Sequence, residues 1–118
     1  VQEKPKRLVF FDLMIIAEMV NGKIKYEFTA EVWQYSGPGG WFFVSVEHKI
    51  SQEIRENLQW QEEGWGRLKA TAKIGNSTWK TSIWFDTKKN TYFLPLKAEI
   101  RKRENIETGM NCLVTIWI

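Results

Sequence analysis

Hydrophobic and polar residues alternate along most of the chain after residue 23, and this period of two is typical of half-buried strands. The alternation predicts six strands, over residues 24–32, 41–46, 68–74, 78–85, 92–94 and 111–118. Ile50, Ile54 and Leu58 fall at helical spacing and predict a short helix over residues 51–59. Residues 97–103 are predicted to form one or two basic helical turns. Ser51 is the expected N-cap of the first helix because its hydroxyl can accept a hydrogen bond from a backbone N–H.

Glycine and proline residues separate these elements. Residues 34–40 form a loop, Gly75-Asn76 is a two-residue hairpin signal, and Thr108-Gly109 turns the chain into the last strand. No regular alternation of strand and helix is present, which argues against a parallel sheet. The pattern therefore predicts a mainly all-β fold, a closed six-stranded antiparallel barrel with two short helices, since closure removes exposed sheet edges.

The first twenty residues differ from the rest, so we expect an N-terminal extension over residues 1–20 and one barrel domain over residues 21–118. A basic start before an apolar run at residues 8–17 has the outline of a secretory signal. An aspartate inside the run and the lack of a small-residue cleavage site argue against that reading. We favour a segment that covers apolar surface of the barrel, and a natural start at Met14 or Met19 is the remaining alternative.

Composition narrows the class of protein. The chain has 118 residues, a mass of 14.0 kDa and a net charge of +3, which fits one domain with only a mild preference for anions. One cysteine, Cys112, excludes an internal disulfide, and together with a single histidine, His48, it argues against zinc. No apolar run reaches the roughly 18–20 residues needed to cross a bilayer. We expect a cytoplasmic protein without metal, cofactor or membrane contact.

Few residues suggest catalysis. His48 stands alone, and Cys112 falls on the apolar side of the last strand. Glu62 and Glu63 are adjacent carboxylates, and adjacent side chains do not converge on one substrate. We expect no catalytic residues, while a hydrolase or isomerase stays a third class because small barrels host many chemistries.

Aromatic residues are abundant, with seven tryptophans in the chain. If the aliphatic faces form the core, strand parity turns a set of aromatic side chains outward. This set comprises Trp33, Trp41, Phe43, Trp84 and Trp117. Such a patch needs a cover, and we prefer the N-terminal segment or a second copy in a homo-oligomer over an open ligand site.

Basic residues cluster after Pro95 and supply the candidate binding site. The candidate phosphate or carboxylate ligands are Lys97, Arg101, Lys102 and Arg103, with Lys80 on a neighbouring strand. The competing interpretation, which we favour, is a solvated helix face with Glu99 and Glu104 as counter-charges.

An ordered set of residues resembles a known family of small β-barrels, the domain of unknown function DUF1905. The set comprises Gly64-Trp65-Gly66, Ile74-Gly75, Trp79, Thr81-Ser82, Tyr92, Leu94-Pro95-Leu96-Lys97-Ala98, Ile100-Arg101-Lys102, Ile106 and Gly109. The resemblance runs from about Tyr26 to Ile118 and implies a closed β-barrel, found alone or ahead of a bacteriocin-protection-type domain, with no activity established for it. This chain departs from the family where Met110 and Asn111 replace the acidic residue expected after Gly109.

The C-terminal part is also similar to the swapped-hairpin AbrB-type DNA-binding module. That module has a helix, an apolar residue and a turning glycine before a strand, and the same order is present here at Arg101, Ile106 and Gly109. Pro95, however, lies two residues farther from Arg101 than the module's pattern requires. We interpret this likeness as a similar turn before a strand and not as evidence of DNA binding. The sequence thus favours a non-catalytic barrel that binds a small ligand or a protein partner, with a nucleic-acid-binding regulator using the basic helix as the alternative.

Overall fold

A computed structural model describes residues 19–20 and 23–118. In this part of the chain the strands are β1 (Met19–Val20), β2 (Lys23–Gln34), β3 (Phe42–Ser45), β4 (Arg67–Ile74), β5 (Ser77–Asp86), β6 (Thr91–Pro95) and β7 (Asn111–Trp117). The helices are α1 (His48–Leu58) and α2 (Ala98–Arg103), and two single 3₁₀ turns cover Gln59–Gln61 and Gly64–Gly66. The expectations for residues 1–18 fall outside the described residues.

Six strands close into an antiparallel barrel, as the sequence predicts. Their order is β2-β3-β6-β5-β4-β7, and β7 pairs back with β2 to complete the ring. The short β1 pairs only with the start of β2, through Met19 opposite Ile24. Barrel closure leaves each of the six strands hydrogen-bonded on both sides, so the sheet has no long free edge.

The core fills the barrel interior with inward-facing residues of β2 to β7. Tyr26, Val44, Ile83, Leu94 and Val114 are almost fully buried and come from five different strands. Helix α1 closes one end of the barrel with its buried residues Ile50, Ile54 and Leu58. Each fully buried large side chain contributes about 1.5–3 kcal/mol relative to an exposed one, so burial of these side chains stabilises the barrel.

The start of α1 differs from the predicted one. The helix begins at His48, and Ser51 lies within its first turn rather than at the N-cap. The Ser51 hydroxyl donates to the Val46 carbonyl at 3.1 Å and accepts from the Tyr92 backbone N–H at 3.0 Å. The Val46 N–H in turn donates to the Tyr92 carbonyl at 2.9 Å. The Ser51 hydroxyl therefore replaces the second backbone hydrogen bond between Val46 and Tyr92, at the point where β3 and β6 separate. This tertiary contact fixes the position of Ser51.

Candidate functional site

Strands β4 and β5 form the hairpin that carries the best candidate site. The predicted turn at Gly75-Asn76 is present, with Gly75 at a φ of +59° and Ile74 paired with Ser77. Pairing across the hairpin then places outward residues opposite each other, in the pairs Thr71–Lys80, Lys69–Ser82 and Arg67–Trp84. Leu68, Ala70 and Ala72 point the other way and are buried. The local turn and the strand period together therefore create a basic outer face.

A groove of about 540 Å³ runs over this face. Its lining is Lys23, Arg67, Lys69, Ala70, Thr71, Lys80, Thr81, Ser82 and Trp84. We call it the basic groove, because the lining has four cationic side chains and no carboxylate. Cations that surround a concave surface add their fields and attract anions more strongly than isolated surface charges do.

One carboxylate outside the lining approaches two of these cations. Glu63 forms an ion pair with Arg67, and its other oxygen lies 3.8 Å from the Lys69 ammonium. Lys69 keeps 75% of its side chain exposed, and exposed pairs of this kind bind only weakly. An anion in the basic groove can therefore compete with Glu63 for Lys69.

Trp84 connects the basic groove to a row of aromatic rings on the outer barrel surface. Its ring lies 6.2 Å from the Phe93 ring at an interplanar angle of 19°. Phe93 contacts Phe43 edge to face at 5.0 Å, and Phe43 lies 4.8 Å from Trp33. We call these four half-buried residues, from β5, β6, β3 and β2, the aromatic ladder. The Lys89 ammonium lies 4.5 Å from the centre of the Trp33 ring, so cations stand at both ends of the ladder.

The predicted aromatic residues lie at the surface of the barrel, on strands or in a loop. Trp33, Trp84 and Trp117 lie on strands and are half-buried on the outer face. Trp41 lies in the loop before β3 and is 60% exposed, so it is not part of the ladder. Phe93 escaped the sequence analysis, although its position between inward Tyr92 and Leu94 already indicates an outward side chain. Their roles in a homo-oligomer or a protein interface stay predictions.

The two arginines of the basic helix α2 form contacts within the chain. Arg101 donates from Nε to the Leu96 carbonyl at 3.0 Å, and its guanidinium lies 3.9 Å above the Phe42 ring. Arg103 pairs with Glu99 at 2.8 Å. Lys97, Lys102 and Arg103 are exposed, so three of the four predicted cations reach water, whereas Arg101 holds the helix against Phe42.

Lys80 lies apart from that helix and lines the basic groove, together with Lys23, Arg67 and Lys69. Of these four cations, only Lys80 was predicted as a ligand from the sequence. The hairpin signal at residues 75–76 would have found Arg67 and Lys69, because it fixes which outward residues face Lys80 and Trp84. Lys23 joins the groove through barrel closure, which no local pattern encodes.

A second polar cluster lies at the end of the barrel closed by α1. The Tyr92 hydroxyl donates to a Glu62 carboxylate oxygen that also lies 3.6 Å from Arg55. Burial and the adjacent carboxylate raise the pKa of Tyr92 above its ordinary value near 10, so the hydroxyl stays a donor. Glu62 faces Tyr92 while Glu63 faces Arg67, so the adjacent carboxylates do not converge, as predicted.

Other candidate chemistry is sparse over residues 19–20 and 23–118. No three residues among His, Cys, Asp and Glu in that part are grouped so that they could hold a metal ion. His48 is exposed at the start of α1, and Cys112 is buried, which raises the pKa of its thiol. None of the helices described in the structure has the length and apolar character to cross a membrane.

Comparison with known proteins agrees with the resemblance seen in the sequence. The family described as Domain of unknown function (DUF1905) matches residues 28–116, about three quarters of the chain. The match spans β3 to β6, α1 and α2, and most of β2 and β7. A search of curated protein sequences found no match. The chain, a closed six-stranded barrel with a basic groove on its outer face, therefore belongs to the DUF1905 family.

Proposed function

We propose that this domain is a non-catalytic binding module whose basic groove takes an anionic ligand with a planar ring. The observation that carries the proposal is the placement of four cations around Trp84 in one groove. Ammonium and guanidinium groups donate charge-assisted hydrogen bonds to phosphate or carboxylate oxygens. The indole of Trp84 offers an apolar, electron-rich face for a ring.

The composition of the groove favours reversible binding over catalysis. Its uncharged polar residues are Thr71, Thr81 and Ser82, which hold no acid or base that titrates near neutral pH. The side chains of Arg67 and Lys69 are partly exposed, at 39% and 75%. An open, wet and cationic groove suits exchange of a bound anion and offers no enclosed place for bond cleavage.

Nuclear magnetic resonance titration of the full chain tests this proposal. Adenosine monophosphate supplies charge and ring, while adenosine and inorganic phosphate each supply only one. We expect adenosine monophosphate to shift the backbone amides of Lys69, Thr71 and Lys80 and the indole N–H of Trp84, and to do so at lower concentration than either control. Each interaction is weak alone, and the two together add on one rigid surface.

Paired variants separate the groove from the basic helix. The double variant Lys69→Gln/Lys80→Gln is expected to weaken binding at least fivefold, and Lys97→Gln/Lys102→Gln on α2 is the matched control with the same charge loss. Equal weakening by both pairs would indicate that only net charge matters. Shifts confined to α2 would move the site to the helix and contradict the proposal.

A further inference from the structure

The basic groove and the aromatic ladder are continuous, and we infer that together they form a track for single-stranded nucleic acid. This inference rests on the proposed function and names its ligand class. Trp84 belongs to both surfaces, since it lines the groove and stacks near-parallel to Phe93. A ligand whose ring stacks on Trp84 and whose charge lies in the groove can therefore continue along the ladder.

The open ring surface of the ladder favours a single strand over a duplex. Successive ring centres along the ladder are 6.2, 5.0 and 4.8 Å apart, which are ordinary distances for rings packed side by side. The base faces of a duplex are covered by neighbouring base pairs, so a duplex has no free base faces to stack on these rings. Bases that stack on separate rings must be spread apart, and a flexible single strand can be spread in this way.

Charge along the track fits a phosphate backbone. Lys23, Arg67, Lys69 and Lys80 lie at the Trp84 end, and Lys89 lies over Trp33 at the far end. A backbone with one charge per nucleotide can meet cations at both ends while its bases contact the rings between them. A single small anion would use only the groove and leave the ladder without a ligand.

The ladder is preorganised for such contacts. Its rings hold one another through stacked and edge-to-face packing, and the Trp33 indole N–H donates to the Ser45 hydroxyl at 3.0 Å. All four rings are half-buried, so each keeps part of its surface open to solvent while the rest is packed. Rings fixed in this way lose little conformational freedom when a base stacks on them.

Binding measurements with three probes test the inference on the full chain. Fluorescence anisotropy compares an eight-nucleotide oligothymidylate, a duplex of the same length and an inorganic polyphosphate of similar charge. We expect the single strand to bind most tightly, with a logarithmic salt slope of about −2 to −3 for four phosphate contacts. Lys69→Gln/Lys80→Gln should reduce that slope by about 1 to 1.5, while Lys97→Gln/Lys102→Gln leaves it unchanged.

The aromatic contribution has its own variant and control. Phe93→Leu keeps an apolar side chain on β6 and removes one of the two middle rings of the ladder. Single-strand affinity should therefore fall about fivefold to tenfold, whereas polyphosphate affinity should not change. Trp41→Leu removes an exposed indole outside the ladder and should change neither affinity. In the unmodified chain, single strand should shift the indole signals of Trp33 and Trp84 and leave those of exposed Trp60 and Trp65 in place.

The outcomes distinguish this inference from the proposed function. Equal binding of single strand and polyphosphate, with no effect of Phe93→Leu, would overturn the nucleic-acid track and leave the anion groove. Tighter binding of the duplex would also overturn it. Absence of binding by every anion would overturn both proposals. A dimer in sedimentation velocity that Phe93→Leu dissociates would assign the ladder to contact between copies and overturn the track.

Discussion

The Ser51 hydroxyl is the contact whose removal tests the barrel architecture most directly. Ser51 has no exposed surface, and its hydroxyl bridges the Val46 carbonyl and the Tyr92 N–H. In Ser51→Ala both backbone groups lose this partner inside the domain. A buried polar group left without its hydrogen bond costs about 1–3 kcal/mol, while alanine regains up to about 0.5 kcal/mol of helix propensity.

We expect Ser51→Ala to lower the free energy of unfolding by about 1–3 kcal/mol, equivalent to about 4–8 °C in Tm per kcal/mol for a domain of this size. Urea unfolding followed by tryptophan fluorescence measures the change. Gln52→Ala, at the exposed neighbouring position of α1, is the control and should stay within about 0.5 kcal/mol.

Amide hydrogen exchange provides a local readout of the same contact. The Tyr92 N–H should exchange faster in Ser51→Ala, while the Leu94 N–H on the same strand keeps the protection set by global stability. An unfolding free energy within about 0.5 kcal/mol of the unmodified chain, together with unchanged protection of Tyr92, would refute the bridging role of the hydroxyl.

Three further predictions follow from single positions. Gly66→Ala should destabilise the fold by about 1–3 kcal/mol in urea unfolding, because φ at Gly66 is +68° and a Cβ there would lie 3.0 Å from the Phe85 side chain. Gly64→Ala is the control and should be nearly neutral, since a Cβ at Gly64 would meet open space. The folded chain keeps the Tyr92 hydroxyl protonated above pH 10, whereas the unfolded chain releases that proton. The free energy of unfolding should therefore fall as the pH rises beyond 10, and it should fall less in Tyr92→Phe over the same range. Arg101→Gln should cost about 1–2 kcal/mol by thermal unfolding, since it removes the cation over Phe42 and a bond to a backbone carbonyl; an unchanged Tm would return Arg101 to the list of surface ligands.

Trp65 combines an unusual backbone conformation with an exposed side chain. Trp65 has a φ of +67° and is 93% exposed, although bulky side chains rarely adopt left-handed backbone. Glycine residues flank it on both sides, and Gly66 contacts Phe85 on β5. Burial of the indole therefore does not stabilise the left-handed conformation of Trp65.

Strand positions and facing directions could be read from the sequence because they depend on neighbours a few residues away. The alternation of Leu68, Ala70 and Ala72 with Arg67 and Lys69 fixes both the strand and its outer face. The Gly75-Asn76 turn then fixes the hairpin register. Local information was thus sufficient to predict the barrel strands and the hairpin that carries Arg67, Lys69 and Lys80, although only Lys80 was predicted as a ligand.

The rest of the site depends on contacts between residues far apart in the chain. Pairing of β3 with β6 and of β2 with β3 brings Phe93, Phe43 and Trp33 into one row. Sequence periodicity specifies which way a strand faces and not which strand lies beside it, because neighbours in a barrel are selected by closure of the whole sheet. For the same reason Ser51 was predicted as a local cap, whereas its hydroxyl bonds a strand forty-one residues away. Local patterns therefore predict the strands, their outward residues and the hairpin with its cations, whereas closure of the barrel brings Lys23 and the aromatic rings beside that hairpin.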